Sequence, residues 1–123
     1  MPPANQDPHE AFVIAIPVAD GRLSLHFGHC ERFAIFDVDR QAGEVLNRRD
    51  VEPPLHQPGV LPRWLHDQGV KLVISGGMGG RAIQIFNQFG VDVLLGASAE
   101  PPEAIVADFL ADRLATGDNI CDH

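Results

Sequence analysis

The sequence is poor in basic residues and holds a single lysine, Lys71, in a chain of 123 residues with a formal net charge of −8. Proteins that bind nucleic acid or an anionic membrane present a basic surface, so this balance argues against both kinds of partner. Long apolar runs are also missing, since no segment approaches the roughly 18–20 apolar residues that cross a bilayer. With 45% hydrophobic residues and 12 glycines, the chain is expected to form one globular domain.

Cysteine is scarce as well, because the chain contains only Cys30 and Cys121. Residues 1–11 are polar and proline-rich, unlike the basic and apolar start of a secretory signal, so we expect a flexible N-terminal tail and a cytoplasmic protein. In that compartment cysteines are more often reduced than joined in a disulfide. We expect a single domain over residues 12–114, followed by a C-terminal tail over residues 115–123.

Hydrophobic patterning predicts secondary structure in the order β-β-β-α-β-α-β-α. Short apolar runs rich in Val and Ile are typical of buried strands, and spacings of three and four residues are typical of amphipathic helices. The predicted strands cover residues 12–18, 33–38, 44–51, 71–75 and 91–95, and the predicted helices cover residues 60–68, 81–90 and 101–114. Alternating strands and helices favour a parallel sheet, to which the early hairpin adds antiparallel strands. We therefore expect an α/β fold with a mixed five-stranded sheet and helices on both faces.

Sequence patterns of common enzymes are missing. The glycine-rich segment 75–81 is not followed by Gly-Lys-Ser/Thr, and it contains no Gly-x-Ser-x-Gly nucleophile elbow. Asp20 together with Asp37 or Asp39 could belong to a nuclease on a mixed sheet, but the fourth predicted strand ends in Ser75 where an acid would be needed to hold magnesium. We therefore predict a protein that is not an enzyme.

The most distinctive segment is residues 24–30, Ser-Leu-His-Phe-Gly-His-Cys, which follows the first predicted strand. It places two imidazoles and one thiol within five residues, and transition metals and their clusters prefer such ligands. A shorter group lies at the other end of the chain, where a cysteine and a histidine are two positions apart. The candidate metal ligands are His26, His29, Cys30, Cys121 and His123. Alternatively, Cys30 is a small buried hydrophobic residue, His26 braces its loop through hydrogen bonds, and the terminal pair has no role.

A second candidate segment is the glycine-rich loop at residues 75–81, Ser-Gly-Gly-Met-Gly-Gly-Arg, which leads into a predicted helix. Glycines let backbone N–H groups turn towards a ligand, and the start of a helix favours negative charge. Arg81 adds a forked cation. This loop either binds an anion or is only a tight turn between a strand and a helix.

The two segments would meet at one edge of the sheet if their strands are neighbours, because ligand sites form at the carboxyl ends of parallel strands. Three arginines, Arg22, Arg32 and Arg81, outnumber the two acids there, Asp20 and Glu31, by one. In an acidic protein we therefore expect a locally basic crevice that attracts small anions and repels polyanions.

These segments resemble the dinitrogenase iron–molybdenum cofactor biosynthesis family. The resemblance rests on residues 24–29 with Phe33 downstream, on Val-Ile-Ser-Gly-Gly-Met-Gly at 73–79 and on Gly-Val-Asp-Val at 90–93, and it extends over about residues 12–114. The family includes nitrogenase accessory carriers, part of the cofactor-synthesising radical enzyme and stand-alone proteins. It implies a ribonuclease H-like three-layer α/β/α fold without a nuclease site, and non-enzymatic binding of a metal–sulfur cofactor or its precursor.

The resemblance also implies which residues contact the cofactor. A histidine of the His-Phe-Gly-His segment is the usual candidate in the family, which here means His26 and His29. Many stand-alone members end in Asn-x-Cys-x-His, as residues 119–123 do, whereas a small residue such as alanine is commoner at the position of Cys30. Because orange proteins of this family hold a molybdenum–copper sulfide cluster, the expected cargo is of iron–molybdenum, iron–sulfur or molybdenum–copper type.

We therefore predict a cytoplasmic carrier for an anionic metal–sulfur cluster. The predicted cofactor-binding residues are His26, Phe27, Gly28, His29, Ser75, Gly76, Gly77, Met78, Gly79 and Arg81. The expected partners are the cluster itself and either cofactor-synthesis enzymes or a cluster-assembly ATPase. Two alternatives are a regulatory module that docks on such an ATPase without binding metal, and a phosphate- or nucleotide-binding domain that uses the glycine-rich loop.

Overall fold

The computed structural model describes residues 12–27, 30–54, 60–114 and 116. The predicted tails therefore lie outside the described residues, except for residue 116. The strands are β1 (Phe12–Ala19), β2 (Arg22–Leu23), β3 (Arg32–Asp39), β4 (Glu44–Val51), β5 (Leu72–Ile74) and β6 (Asp92–Leu94), and the helices are α1 (Val60–Asp67), α2 (Gly80–Gln88) and α3 (Pro102–Leu110). No helix in these ranges has the length and apolarity needed to cross a membrane.

A single mixed sheet joins the strands in the order β4-β3-β1-β5-β6, and β2 pairs with the end of β1. The central strand β1 is antiparallel to β3 and parallel to β5, which confirms the predicted mixed sheet and its five main strands. The sixth strand, β2, was not predicted. It forms because Asp20 and Gly21 both adopt positive φ angles, which turn the chain back onto β1 in a tight hairpin.

Side chains of the central strand alternate between two hydrophobic clusters, one on each face of the sheet. On one face Ile16 belongs to the same cluster as Ile105 of α3. On the opposite face Ala15 belongs to the same cluster as Leu65 of α1 and Phe86 of α2. One helix therefore covers the first face and two cover the second, which confirms the predicted three-layer α/β/α architecture.

The last helix ends earlier than predicted, at Leu110 instead of residue 114. Asp112 adopts a left-handed φ of 58°, and the Arg113 N–H donates to the Asp108 carbonyl at 2.7 Å. This is a Schellman-type helix end, with aspartate at the position where glycine is usual. The apolar pattern misled the prediction because Leu114 still packs against the core although it lies beyond the helix.

Three loops meet at one edge of the sheet. The strands β1, β5 and β6 run parallel, so their carboxyl ends lie together. The loops that leave these ends cover residues 20–31, of which 28 and 29 are outside the described part, residues 75–79 and residues 95–101. The helix α2 begins directly after the second of these loops. This edge is therefore the expected position of a ligand site.

Candidate functional site

His26 belongs to a short exposed segment between two buried residues. Leu25 and His26 are exposed, whereas Ser24 and Phe27 on either side are only 7% and 5% exposed. The Ser24 N–H donates to the Pro17 carbonyl at 2.7 Å, and the Ser24 hydroxyl donates to the His26 carbonyl at 3.0 Å. These hydrogen bonds hold the backbone around His26, so the residue is presented at the sheet edge from a fixed position.

The glycine-rich loop is hydrogen-bonded directly to the loop at residues 20–31, which contains His26 and is called the histidine loop. The Phe27 N–H donates to the Gly77 carbonyl at 2.9 Å, and the Ser75 hydroxyl donates to the same oxygen at 3.0 Å. Gly76 lies so close to the histidine loop that a Cβ built on it would be 2.9 Å from the Leu25 Cα. The strands β1 and β5 are indeed neighbours, and the loops that follow them are in contact.

A third loop, residues 95–101, belongs to the same edge and was missed in the sequence. The Gly96 N–H donates to the Gly76 carbonyl at 2.9 Å, and the Leu23 N–H donates to the Glu100 carbonyl at 2.8 Å. This loop therefore braces both of the others. The signal was present in the sequence, since the loop follows the fifth predicted strand at its carboxyl end, where loops of parallel strands come together.

The third loop changes the charge of the crevice. It contributes Glu100, which is exposed and offsets the single positive charge that the other two loops carry in excess. The expectation of a basic crevice is therefore corrected, because the formal charge of the three loops, with Arg32 and Arg81 included, is zero. A preference for anions must come from the placement of individual groups and not from a broad positive potential.

The positive side of the crevice is the start of α2. The N-cap residue is Gly79, which has no side chain to cap the helix, and the first turn carries no acidic residue. The first N–H groups of a helix have no partner within the helix, and the helix dipole favours an anion beside them. Arg81 is exposed on the first turn and adds a full positive charge at the same place.

Three of the predicted binding residues direct their side chains into the core. The Phe27 ring lies 5.6 Å, centroid to centroid, from both Phe33 and Phe86. Met78 is 1% exposed and Ser75 is fully buried. These three side chains are buried, so a contact of these residues with a cofactor would be made by their backbone, and their assignment as cofactor-binding residues stays a prediction.

Cys30 is half-buried and packs against the cluster beneath α1 and α2. Burial raises the pKa of its thiol to about 11, which disfavours the thiolate that binds metals. Gly28, His29, Cys121 and His123 lie outside the described residues, so their assignment stays a prediction. Among the residues that the structure describes, no three His, Cys, Asp or Glu side chains come together to hold a metal ion.

The family of the chain follows from a comparison with known proteins. The family model described as "Dinitrogenase iron-molybdenum cofactor" matches residues 10–112, most of the chain. The protein belongs to this dinitrogenase cofactor family. The resemblance drawn from the loop motifs is thereby confirmed. An uncharacterised relative from Methanocaldococcus jannaschii is 35% identical over 85 residues, which cover 65% of this chain and 70% of the relative.

Solved structures place this dinitrogenase cofactor family member in the same fold. The crystal structure of the protein PH0822 matches with a TM-score of 0.81 at 30% identity, over 91% of this chain and all of the other. The apo form of the orange protein from Desulfovibrio gigas matches with a TM-score of 0.67 at 20% identity, over 87% of this chain and 93% of the other. The second likeness concerns the fold alone.

Proposed function

We propose that this family member is a non-enzymatic carrier for an anionic metal–sulfur cofactor or cluster of iron–molybdenum, iron–sulfur or molybdenum–copper type. Its family, described by the iron–molybdenum cofactor of dinitrogenase, supports a cofactor-binding role. The observation that carries the proposal is the hydrogen bond of 2.9 Å from the Phe27 N–H to the Gly77 carbonyl. It joins the loop of His26 to the loop that leads into α2, which supports a site that uses both the imidazole and the start of the helix.

The available donors suit a preformed cluster better than a bare ion. A structural ion site usually takes about four protein ligands, and the described residues bring no three candidate side chains together. A cluster carries its own sulfide ligands, so a single imidazole can attach it. Its negative charge would be compensated by the first N–H groups of α2 and by Arg81. We assign His26 as the contact and keep His29, Cys121 and His123 as further candidate ligands.

A carrier must receive its cargo and release it. We therefore propose a cytoplasmic protein that exchanges its cluster with cofactor-synthesis enzymes. The exposed position of His26 supports such exchange, because a cluster attached there stays accessible to a partner. Two other functions compete with this one: docking on a cluster-assembly ATPase without metal binding, and binding of a nucleotide or phosphate at the glycine-rich loop.

The test is anaerobic reconstitution of the apo-protein with iron, molybdate, copper and sulfide, followed by gel filtration, metal analysis and visible absorption spectra. We expect metal with charge-transfer absorbance in the wild type and at least about tenfold weaker retention in His26→Ala. His66→Ala is the matched control, because His66 is an exposed histidine in the last turn of α1, at the opposite edge of the sheet.

The outcome decides between the functions. Wild-type protein that stays free of metal in every mixture contradicts the carrier, and so does undiminished binding in a His26→Ala/His29→Ala double variant. A stable complex between metal-free protein and an assembly ATPase would support the docking module instead. Binding of ATP but not of thiomolybdate in calorimetry would support the nucleotide-binding alternative.

A further inference from the structure

Gly76 lies where any side chain would strike the backbone of the histidine loop. A Cβ built on Gly76 would be 2.9 Å from the Leu25 Cα and 3.0 Å from the Leu25 carbonyl oxygen. The φ angle of Gly76 is not among the positive values found at other glycines of the chain. The position therefore needs glycine for lack of space, and not for a conformation that other residues avoid.

Backbone hydrogen bonds restrain the chain on both sides of Gly76. Its carbonyl accepts the Gly96 N–H at 2.9 Å, and the next carbonyl, that of Gly77, accepts the Phe27 N–H at 2.9 Å. On its other side, the Ser75 N–H donates to the Leu94 carbonyl at 2.9 Å. The end of β6, the loop after it and the loop of His26 therefore hold this segment, and a group inserted between Gly76 and Leu25 must break or lengthen one of these hydrogen bonds.

We infer that Gly76 is a positioning residue that sets the distance between the His26 loop and the N-terminus of α2. Its contact with Leu25 acts as a fixed spacer, which exists before any cofactor binds because backbone hydrogen bonds maintain it. The consequence for cofactor binding rests on the proposed function, whereas the spacer itself does not. The spacing of the two loops is then preorganised, because the missing Cβ of Gly76 lets them approach to contact.

The size of the expected displacement follows from the contact distances. Ordinary van der Waals contact of a Cβ begins at 3.4 Å, whereas the Cβ of an alanine at this position would start 2.9 Å from the Leu25 Cα. The two loops must therefore separate by about 0.5 Å. Binding sites keep their function only within about 0.5 Å of the productive geometry, so this displacement reaches the limit.

The experiment compares Gly76→Ala with Gly79→Ala in the same loop. Gly79 has φ −65°, and a Cβ there meets nothing within 4 Å, so its substitution introduces a methyl group without a clash. Amide hydrogen exchange is measured by NMR on the apo-protein. We expect the Phe27 amide to exchange about tenfold or more faster in Gly76→Ala and at the wild-type rate in Gly79→Ala. The Ile35 amide in β3 reports whether global stability is unchanged.

A second readout connects the spacer to the cofactor. After anaerobic reconstitution with iron, molybdate, copper and sulfide, Gly76→Ala should retain about tenfold less metal and show displaced absorption bands, while His66→Ala in α1 should match the wild type. Wild-type exchange of the Phe27 amide in Gly76→Ala overturns the inference, whatever the metal content. A wild type that takes up no metal overturns the carrier function instead, and the exchange result still decides the spacer.

A milder variant guards against a misfolded Gly76→Ala protein. Ser75→Ala removes the hydroxyl that donates to the Gly77 carbonyl and introduces no clash. We expect a smaller, severalfold increase in exchange of the Phe27 amide, because the loop that accepts its hydrogen bond is less firmly held. An unchanged Phe27 exchange rate in a folded Ser75→Ala protein argues against the rigid connection between the loops.

Discussion

Replacing Phe27 by alanine should destabilise the whole protein, although Phe27 lies in the segment that the sequence marks as ligand-binding. The ring is 5% exposed and contacts Phe33 and Phe86 in tilted and edge-on geometry. Removing a buried phenylalanine costs about 3–5 kcal/mol, which includes the aromatic pair contacts and the cavity left behind. A domain has a total stability of only about 5–15 kcal/mol, so the loss is a large share of it.

Urea unfolding followed by circular dichroism measures this effect. At an m-value of about 2 kcal/mol/M, a loss of about 4 kcal/mol lowers the urea midpoint by about 2 M. Phe89→Ala is the matched control, because Phe89 is 37% exposed at the end of α2 and should lose less than about 1 kcal/mol. If Phe27→Ala proves too unstable to purify, Phe27→Leu should show the same direction with a smaller loss.

The opposite result would refute the assignment of Phe27 to the core. If Phe27→Ala unfolds within about 0.5 kcal/mol of the wild type and still loses its cofactor, the ring faces the ligand and not Phe33 and Phe86. If stability falls as expected while the amount of metal per folded molecule also falls, the ring acts on the site through the loop that it holds. The two readouts together therefore separate a contact residue from a structural one.

Two further predictions concern Cys30 and the end of α3. Because burial raises the pKa of the Cys30 thiol to about 11, iodoacetamide should modify it slowly near neutral pH and faster as the pH approaches that value. The modification is measured by mass spectrometry in a Cys121→Ser background. Rapid modification at neutral pH would contradict the burial of Cys30. In the unfolded chain the Cys30 thiol has its ordinary pKa of 9.0, so as the pH rises it ionises in the unfolded state before it ionises in the folded state. The free energy of unfolding should therefore fall between pH 9.0 and about 11, and more steeply in Cys121→Ser than in Cys121→Ser/Cys30→Ala. Asp112→Gly should stabilise the protein by about 0.5–1 kcal/mol in urea unfolding, because the residue has a left-handed φ of 58°. Asp108→Gly, inside the helix, should instead destabilise by a few tenths of a kcal/mol, and equal effects of the two would contradict the assigned helix end.

Local patterns predicted most of the secondary structure because the elements bury regular faces. The apolar run of β1 was readable from residue type alone, and β4 spans the predicted residues 44–51 although none of its residues is fully buried. The parallel strands β5 and β6 are each one residue shorter at both ends than predicted. The prediction extended further because burial continues beyond the hydrogen-bonded ladder, where Val91 and Ser75 are buried outside the strands.

The site was only partly readable, since a motif records which residues are present and not which way they point. His26 and Phe27 are adjacent in one motif, yet one is exposed at the crevice and the other is packed in the core. The predicted net positive charge of this edge was wrong for a related reason. Glu100 is far from the other two loops in sequence, and only the order of β1, β5 and β6 brings its loop beside them.

The sequence by itself determined the order of the elements, the mixed sheet and the family, because local periodicity and glycine-rich loop motifs need no knowledge of distant contacts. Only the tertiary structure decided how the site is built. It showed that three loops meet at one edge of the sheet, that their formal charges sum to zero, and that Gly76 leaves no space beside Leu25. The physical reason is that close approach and charge balance are sums over residues distant in the chain, which no single segment contains.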